Sequence, residues 1–321
     1  MALAHRSREI THFGPHRADI AWVFPGQGSQ EVGMGRDACV RFPEAREIFE
    51  RADSALGVPL SRLCFEGPED ELKLTVNQQP AILTVSIAYL FAARGRHALL
   101  DCVPAFVAGS SLGEYSALIA AGAVSFEDGV RLVRERGRLM HAAGEVNPGT
   151  LAAILGMDEP TLGEICDATG AEITNLNGAG QIVIGGTRRT VATAMDLAKA
   201  RGAKAVELPV SGAFHSSLMR PAVEGLRAAL AQTVLQDAAV PIIGNTTAKP
   251  IASTEQVTTE LISQLYTAVQ WEKTIQLMAQ LGVTTFVEIG PGKVLSGLIR
   301  RIVKGASTQA INGVATISGE A

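Results

Sequence analysis

The chain has 321 residues, enough for about two domains at ~150 residues each. Its 28 Lys and Arg residues stand against 32 Asp and Glu residues, so the net charge is −4 with neutral histidines. This mild acidity excludes the concentrated basic surface that a nucleic-acid-binding protein needs. Hydrophobic residues make up 47% of the chain and charged residues 19%, which indicates a large apolar core and excludes a disordered protein.

The four cysteines are widely spaced, and they form neither a CxxC pair nor a zinc-ligand pattern. We therefore expect reduced, buried thiols. Residues 1–19 are polar and lack the apolar stretch of a signal peptide. Apolar runs stay well below the ~20 residues of a membrane span. The sequence therefore predicts a cytoplasmic protein that binds neither membranes nor nucleic acids.

The first half of the chain alternates between short apolar strands and helices. The predicted elements are, in order, a strand at 20–24, helices at 37–54 and 81–88, a strand at 103–109 and helices at 114–121 and 126–143. The helix at 81–88 is apolar on nearly all sides and is predicted to be central. Strands that are apolar throughout are typical of a parallel sheet covered on both faces.

The pattern changes near Asn147, where shorter elements begin. Their order is strand, helix, strand, strand, helix, strand, at 150–156, 159–168, 171–176, 181–186, 188–201 and 204–208. This order is that of a split βαβ unit and predicts a ferredoxin-like insert. The larger pattern resumes near residue 210, with further strands at 240–243 and 285–289.

These elements predict an α/β protein with two subdomains. The large subdomain comprises 20–146 and 210–304 and has a hydrolase-like core with a parallel sheet. The small subdomain is the ferredoxin-like insert at 147–209. The polar segments 1–19 and 305–321 are predicted to be mobile termini.

The strongest local motif is a G-x-S-x-G pattern at 109–113, between a strand and a helix built of small residues. A serine nucleophile needs a sharp turn that exposes its Oγ, and the flanking glycines make room for the crowded backbone. The N-terminus of the following helix also stabilises developing negative charge. Ser111 is therefore the candidate nucleophile. The alternative is a glycine-rich turn that serves close packing.

A serine hydroxyl needs a base to remove its proton, and His215 is the best placed of the six histidines. It lies in a loop after the insert, so it follows the serine along the chain, as the base does in hydrolase-like folds. Between these two residues, the sequence identifies no Asp as the partner that would orient the histidine. The alternative is a surface histidine without a catalytic role.

Arg136 lies beside Gly137 on the apolar face of the helix at 126–143. An unpaired guanidinium is costly to bury, so it needs a carboxylate partner. The partner is either an internal acid or the carboxylate of a substrate, held by the bidentate arginine fork.

Two glycine-containing motifs fail as cofactor sites. The loop at 26–31 has Glu31 where a dinucleotide fingerprint needs its third Gly. The sequence around Gly292 lacks both the first Gly and the Ser or Thr of a phosphate-binding loop. We therefore expect neither a nucleotide cofactor nor a metal.

Together these motifs resemble the malonyl-CoA:acyl carrier protein transacylases, the acyltransferase family of fatty-acid and polyketide synthesis. The resemblance extends over about 20–304. It rests on FPGQGSQ (24–30), QQPA (78–81), SLGEYSAL (111–118), RERG (134–137), GAFHS (212–216), VQW (269–271) and EIGPGKVL (288–295).

The resemblance implies a ping-pong acyl transfer. Ser111 attacks the thioester of malonyl-CoA while His215 accepts its proton, and the acyl group then passes to the phosphopantetheine thiol of an acyl carrier protein. Main-chain N–H groups of Gln27 and Leu112 form the oxyanion hole. The resemblance further implies that the main-chain carbonyl of Gln270 orients the histidine in place of an Asp.

The resemblance also assigns the acyl pocket. Arg136 binds the malonyl carboxylate with Gln79 close by, which selects malonyl over neutral acyl groups. With Phe214 before the candidate base, this loop resembles that of the malonyl-selective members of the family. Ser110 departs from the family, which usually has His at this position. We expect activity to survive because that residue is not the base, and only Ser111 has Gly at both −2 and +2.

Two other functions stay open on the sequence. With water as acceptor the same site would be an acyl-thioester hydrolase, and without activity the fold would be a carrier-protein docking module. Carrier proteins are acidic, so a basic dock is expected, either at Arg300, Arg301 and Lys304 or at Arg188 and Arg189. A solvated helix face explains such clusters equally well. We expect a monomer, and the sequence does not distinguish a fatty-acid from a polyketide pathway.

Overall fold

The structure is a computed structural model that describes residues 14–319. The strands are β1 (His16–Phe24), β2 (Val103–Gly109), β3 (Thr150–Leu155), β4 (Glu172–Gly178), β5 (Gln181–Gly186), β6 (Lys204–Leu208), β7 (Ile242–Ile243), β8 (Pro250–Ile251), β9 (Thr285–Ile289) and β10 (Ser307–Ile311). The α-helices are α1 (Arg36–Arg41), α2 (Pro43–Leu56), α3 (Leu60–Glu66), α4 (Glu69–Lys73), α5 (Thr75–Ala93), α6 (Gly113–Ala120), α7 (Phe126–Val146), α8 (Glu159–Thr169), α9 (Arg188–Ala200), α10 (Val223–Ala231), α11 (Thr254–Gln264), α12 (Trp271–Gln280), α13 (Val294–Ile302) and α14 (Val314–Ile317). A 3-10 helix spans Ser217–Ala222.

The large subdomain is built on a sheet with the strand order β10-β9-β1-β2-β7-β8. All neighbouring strands in it are parallel except β7 and β8. Its central strand β1 is fully buried from Ile20 to Phe24, and α5 is buried on nearly all sides, as its apolar sequence predicts. The carboxyl ends of the parallel strands meet at one edge of the sheet, where ligands bind in such folds.

The small subdomain is an antiparallel sheet with the order β4-β5-β3-β6, covered by α8 and α9. It has the predicted succession of strands and helices, and its order is that of a ferredoxin-like unit. Side chains such as Ile154, Leu162, Ile184 and Val191 form a separate apolar cluster in it. The bounds 147–209 stay a prediction.

The structure contradicts the expected mobility for the described parts of both terminal segments. β10, inside the segment 305–321, pairs with β9 along its whole length, and Ile311 and Ile317 are fully buried. β1 begins at His16, inside the segment 1–19. For β10 the polar composition was misleading because β10 is an edge strand, and such a strand needs only about one buried side chain in two. Residues 1–13 and 320–321 lie outside the described residues.

The helix predicted at 37–54 is two helices. Phe42 is extended, with φ −123°, and Pro43 begins α2. Proline has no N–H for the helix ladder and is favoured at a first turn, so the chain breaks there. Among the helices of residues 14–319, none has both the length and the apolarity to cross a membrane.

Candidate active site

Ser111 lies in a tight turn between β2 and α6, and its φ of 51° is rare for a residue with a side chain. The two glycines of the motif are required by contact. A Cβ on Gly109 would lie 1.9 Å from the carbonyl carbon of Gly113, and a Cβ on Gly113 would lie 2.1 Å from the carbonyl oxygen of Phe24. The turn thus needs Gly at both positions to present the serine at the edge of the sheet.

Ser111 and His215, which are 104 residues apart, form a hydrogen bond of 2.7 Å between Oγ and Nε2. The other ring nitrogen, Nδ1, donates to the main-chain carbonyl of Gln264 at 2.6 Å. A carbonyl only accepts, so the proton lies on Nδ1 and the lone pair of Nε2 faces the serine hydroxyl. This arrangement matches a general base beside a nucleophile.

The assignment of Gln270 as the orienting residue is contradicted, because Gln264 provides the carbonyl. Gln264 is the last residue of α11, and the final carbonyls of a helix have no partner inside it. Its carbonyl is therefore available to His215. The N–H of Gln270 donates instead to the carbonyl of Asn245 at 2.7 Å, and Gln270 precedes α12.

The environment of His215 keeps its ring neutral. Burial disfavours the imidazolium and the charge of Arg136 repels it, and together they lower the pKa of His215 to about 4. The hydrogen bond to the Gln264 carbonyl acts in the opposite direction and is the weaker influence. At neutral pH the ring is therefore uncharged, which is the form that a general base needs.

Arg136 is fully buried and its guanidinium lies beside Ser111. Its Nη2 donates to Ser111 Oγ at 3.2 Å and to the side-chain oxygen of Gln264 at 2.7 Å, and its Nη1 donates to the side-chain oxygen of Gln79 at 2.7 Å. The ring of Tyr115 lies 5.3 Å from its carbon Cζ. Within residues 14–319, no carboxylate lies within ion-pair distance of this guanidinium.

Neutral amide and hydroxyl oxygens therefore surround a buried positive charge without neutralising it. The sequence left two partners open for Arg136, and the arrangement in residues 14–319 disfavours a direct internal ion pair. Gln79 lies where its oxygen orients the guanidinium, and it is fully buried itself. Such a site is suited to a ligand with a carboxylate.

The remaining predicted residues surround the same serine. Leu112 follows Ser111 directly, Gln27 and Phe214 line the adjoining cavity, and the side chain of Gln27 donates to the side-chain oxygen of Gln78. Neither the Gln27 nor the Leu112 N–H donates to a described residue. Both groups are thus available for an oxyanion, and their role stays a prediction.

Asn245, Glu114 and Gln264 are polar residues of the site that sequence reasoning missed. The side-chain oxygen of Asn245 accepts from the Ser111 N–H at 2.6 Å, and its amide nitrogen donates to the Gly109 carbonyl at 2.7 Å. Asn245 follows β7, the neighbour of β2, so adjacent strand ends bring the groups together. Only Glu114 carried a signal, as a charged residue inside a small-residue helix.

Both subdomains line a cavity of 680 Å³ that reaches Ser111 and His215. The large subdomain contributes the loop around Gln27 and the start of α13, and the small subdomain contributes Asn175 and Asn177. Within residues 14–319, no group of three His, Cys, Asp or Glu side chains is placed to hold a metal ion. The cavity has the volume of a site for a small organic ligand.

Comparisons with known proteins place this geometry in a family. The model of the acyl transferase domain matches residues 21–317. A malonyl CoA-acyl carrier protein transacylase of Bacillus subtilis is 47% identical over 93% of this chain and 95% of its own. The chain belongs to this family of acyl transferases. The resemblance seen in the sequence is thereby confirmed.

Solved structures of acyl transferases agree with the fold. An acyl-carrier-protein S-malonyltransferase from Bartonella henselae is 43% identical, with a TM-score of 0.90 over 94% of this chain and 98% of its own. A malonyl-transacylase in complex with a type II polyketide synthase acyl-carrier protein is 38% identical, with a TM-score of 0.89 over 93% of this chain and 97% of its own. The predicted α/β fold class is confirmed.

Proposed function

We propose that this acyl transferase moves a malonyl group from malonyl-CoA to the phosphopantetheine thiol of an acyl carrier protein, through a malonyl ester on Ser111. The observation that carries the proposal is the unneutralised guanidinium of Arg136, 3.2 Å from the Oγ that His215 activates. A malonyl group is an acyl group with a carboxylate at its far end, so it supplies the negative charge that this site lacks.

In the first half-reaction, Ser111 Oγ attacks the thioester carbonyl and His215 Nε2 takes the hydroxyl proton. The tetrahedral intermediate then collapses, the carbon–sulfur bond breaks, and the proton passes from His215 to the departing CoA sulfur. In the second half-reaction the carrier thiol gives its proton to His215 and attacks the ester. Collapse returns the proton to Ser111 Oγ. The roles follow from the fixed Nδ1 proton.

Two main-chain groups complete the proposed chemistry. The N–H groups of Gln27 and Leu112 would donate to the oxyanion of each tetrahedral intermediate, and donors fixed before the reaction stabilise this charge strongly. Arg136, held by Gln79, would bind the carboxylate. A neutral acetyl group would leave the guanidinium unpaired, which penalises that substrate. Catalysis without a cofactor is part of the proposal.

The partner is proposed to be an acidic carrier protein that docks beside the cavity. Val294 and Leu295 at the start of α13 line the cavity, and Arg300 and Arg301 are exposed at the other end of that helix. Lys304 follows them and is exposed as well. In the alternative dock Arg188 pairs with the carboxylate of Glu207 at 3.4 Å, whereas Arg300 donates to the neutral hydroxyl of Thr308 at 2.7 Å. A monomeric state and a cytoplasmic location stay predictions.

The test is intact-protein mass spectrometry after brief exposure to malonyl-CoA. We expect a malonyl adduct on the wild type and none on Ser111→Ala. Ser110→Ala is the matched control, since it removes the adjacent hydroxyl and should keep the adduct. An adduct that survives in Ser111→Ala and disappears in Ser110→Ala would overturn the assignment of the nucleophile.

The same experiment separates the other functions. Adding a carrier protein should discharge the adduct and form the malonyl-carrier thioester. Rapid release of CoA without a carrier, with no lasting adduct, would instead indicate a hydrolase. A wild type that neither acquires malonyl nor releases CoA would indicate a docking module.

A further inference from the structure

Glu114 is a fully buried carboxylate that the proposed steps do not use. It lies in the first turn of α6, three residues after the nucleophile. Its Oε1 accepts from the main-chain N–H of Asn245 at 3.0 Å, and its Oε2 accepts from the side-chain nitrogen of Gln264. Within residues 14–319, it forms no ion pair with Lys or Arg. Burying a carboxylate in this way is costly, so its contacts need an explanation.

The amide of Gln264 connects Glu114 to the acyl site. Its nitrogen donates to Glu114 and to the main-chain carbonyl of Ser111 at 3.0 Å, and its oxygen accepts from Arg136 Nη2 at 2.7 Å. Turning the amide by 180° would place its NH₂ against the guanidinium and its oxygen against two other oxygens. Glu114, together with the Ser111 carbonyl, thus fixes which end of the amide faces Arg136.

This orientation matters because Arg136 has few other restraints. Gln79 and Gln264 are its amide acceptors, one on each terminal nitrogen, and they set the direction in which the guanidinium edge faces Ser111 Oγ. Burial and the charge of nearby Glu260 raise the pKa of Glu114. In either protonation state Glu114 needs its two acceptor positions, because Asn245 and Gln264 both point N–H groups at it.

We propose that Glu114 is a positioning residue for acyl specificity: acting through the Gln264 amide, it holds the Arg136 guanidinium in the orientation that binds the carboxylate of the acyl group. The inference rests on the proposed function and deepens it. Glu114 touches neither substrate nor reacting atoms, and its effect reaches the acyl group through two intervening side chains.

The test is Glu114→Gln, with kcat and KM measured for malonyl-CoA and acetyl-CoA. A glutamine has the same shape but one oxygen, so either Asn245 or Gln264 loses its acceptor. We expect the malonyl-to-acetyl ratio of kcat/KM to fall about tenfold, mainly through a higher KM for malonyl-CoA. Glu288→Gln is the matched control, because that buried carboxylate also accepts two N–H groups, those of Leu295 and Ser296. Its ratio should stay at the wild-type value.

A double-mutant cycle with Arg136→Met gives the decisive comparison. If Glu114 acts through Arg136, adding Glu114→Gln to Arg136→Met should leave the ratio where Arg136→Met set it. Effects that add would show that Glu114 has a separate, merely structural role and would overturn the proposal. So would equal losses on both substrates in the single variant.

A second variant keeps the proposal testable if Glu114→Gln fails to fold. Gln264→Met removes the amide and keeps the main-chain carbonyl that orients His215, and the same fall in the ratio is expected from it. If Glu114→Gln does not fold, an unchanged ratio in Gln264→Met overturns the proposal. A wild-type ratio near one, by contrast, contradicts the proposed function itself and not this inference.

Discussion

The two subdomains face one cavity but contribute different things to it. The large subdomain contributes the candidate nucleophile Ser111, the candidate base His215 and the buried guanidinium of Arg136, linked by side-chain and main-chain hydrogen bonds. The small subdomain brings a wall with Asn175 and Asn177, supported by an apolar cluster of its own. The residues proposed to react thus lie in one subdomain, whereas both subdomains determine the shape of the cavity and the access to it.

The difference follows from how the two sheets are built. In a parallel sheet the carboxyl ends of neighbouring strands meet, so Ser111 after β2 and Asn245 after β7 come within hydrogen-bond distance. In an antiparallel sheet the carboxyl ends of neighbouring strands point in opposite directions, so the residues that follow them do not meet at one edge. The face that α8 and α9 leave uncovered is instead suited to lining a cavity. Substitutions in the two subdomains should therefore have different signatures.

The largest effect is expected at the guanidinium. Arg136→Met keeps much of the side-chain volume and removes the charge that would bind a carboxylate. We expect kcat/KM for malonyl-CoA to fall about 100- to 1,000-fold and that for acetyl-CoA to fall far less. Steady-state kinetics with both donors measures this. Arg138→Met on the same helix is the control, because Arg138 is exposed and, among residues 14–319, its ion pair is with Glu135. Equal losses on both donors would contradict the assignment.

The next-largest effect is expected on the free energy of unfolding. It is tested by replacing one glycine in each subdomain. Gly109→Ala places a Cβ 1.9 Å from the backbone of Gly113 and should destabilise the protein by about 3 kcal/mol. Gly163→Ala in α8 meets no atom within 4 Å and should stabilise it by about 0.5–1 kcal/mol. Denaturant unfolding measures both. A neutral result at Gly109 would mean that the turn does not need its glycine.

The pH dependence of the base gives a third test. With the pKa of His215 lowered to about 4, hydrolysis of a neutral chromogenic ester should hold its rate from pH 7 to pH 5. If His215 had the ordinary histidine pKa of about 6.5, the rate at pH 5 would be about 30-fold below its maximum. Arg136→Met removes the positive charge that helps to lower the pKa, so its acid limb should move to higher pH. An acid limb near pH 6.5 in the wild type would contradict the environment described for His215.

The smallest effect is expected in the small subdomain. Asn177→Ala removes one polar group from the cavity wall and should raise KM for malonyl-CoA about fivefold, with kcat nearly unchanged. Asp167→Ala on the exposed face of α8 is the control and should change neither constant. A loss confined to kcat would show that Asn177 takes part in the chemistry, and it would contradict the conclusion that the reacting groups lie in the large subdomain.

Much of the site was predictable from short motifs because local geometry requires particular residues. Ser111 was identified from its glycines, and the contacts of Gly109 and Gly113 explain why they are needed. Arg136 was identified because a charge on an apolar helix face demands a partner. The ferredoxin-like insert was predicted because its strands and helices follow one another locally. The polar segment 305–321 was mispredicted because β10 is an edge strand whose stability comes from β9, 18 residues away or more.

The sequence by itself determined the fold class and the family, and it singled out Ser111, His215 and Arg136 as the candidate nucleophile, base and carboxylate-binding group. Each of these features is visible in residue type or spacing. Only the tertiary structure decided which groups orient them. A main-chain carbonyl has no residue signature, so the resemblance pointed to Gln270, and only the position of the end of α11 against His215 identified Gln264. The same holds for Asn245 and Glu114, whose roles come from contacts between segments more than 100 residues apart. Hydrogen bonds are local in space, whereas sequence motifs are local along the chain.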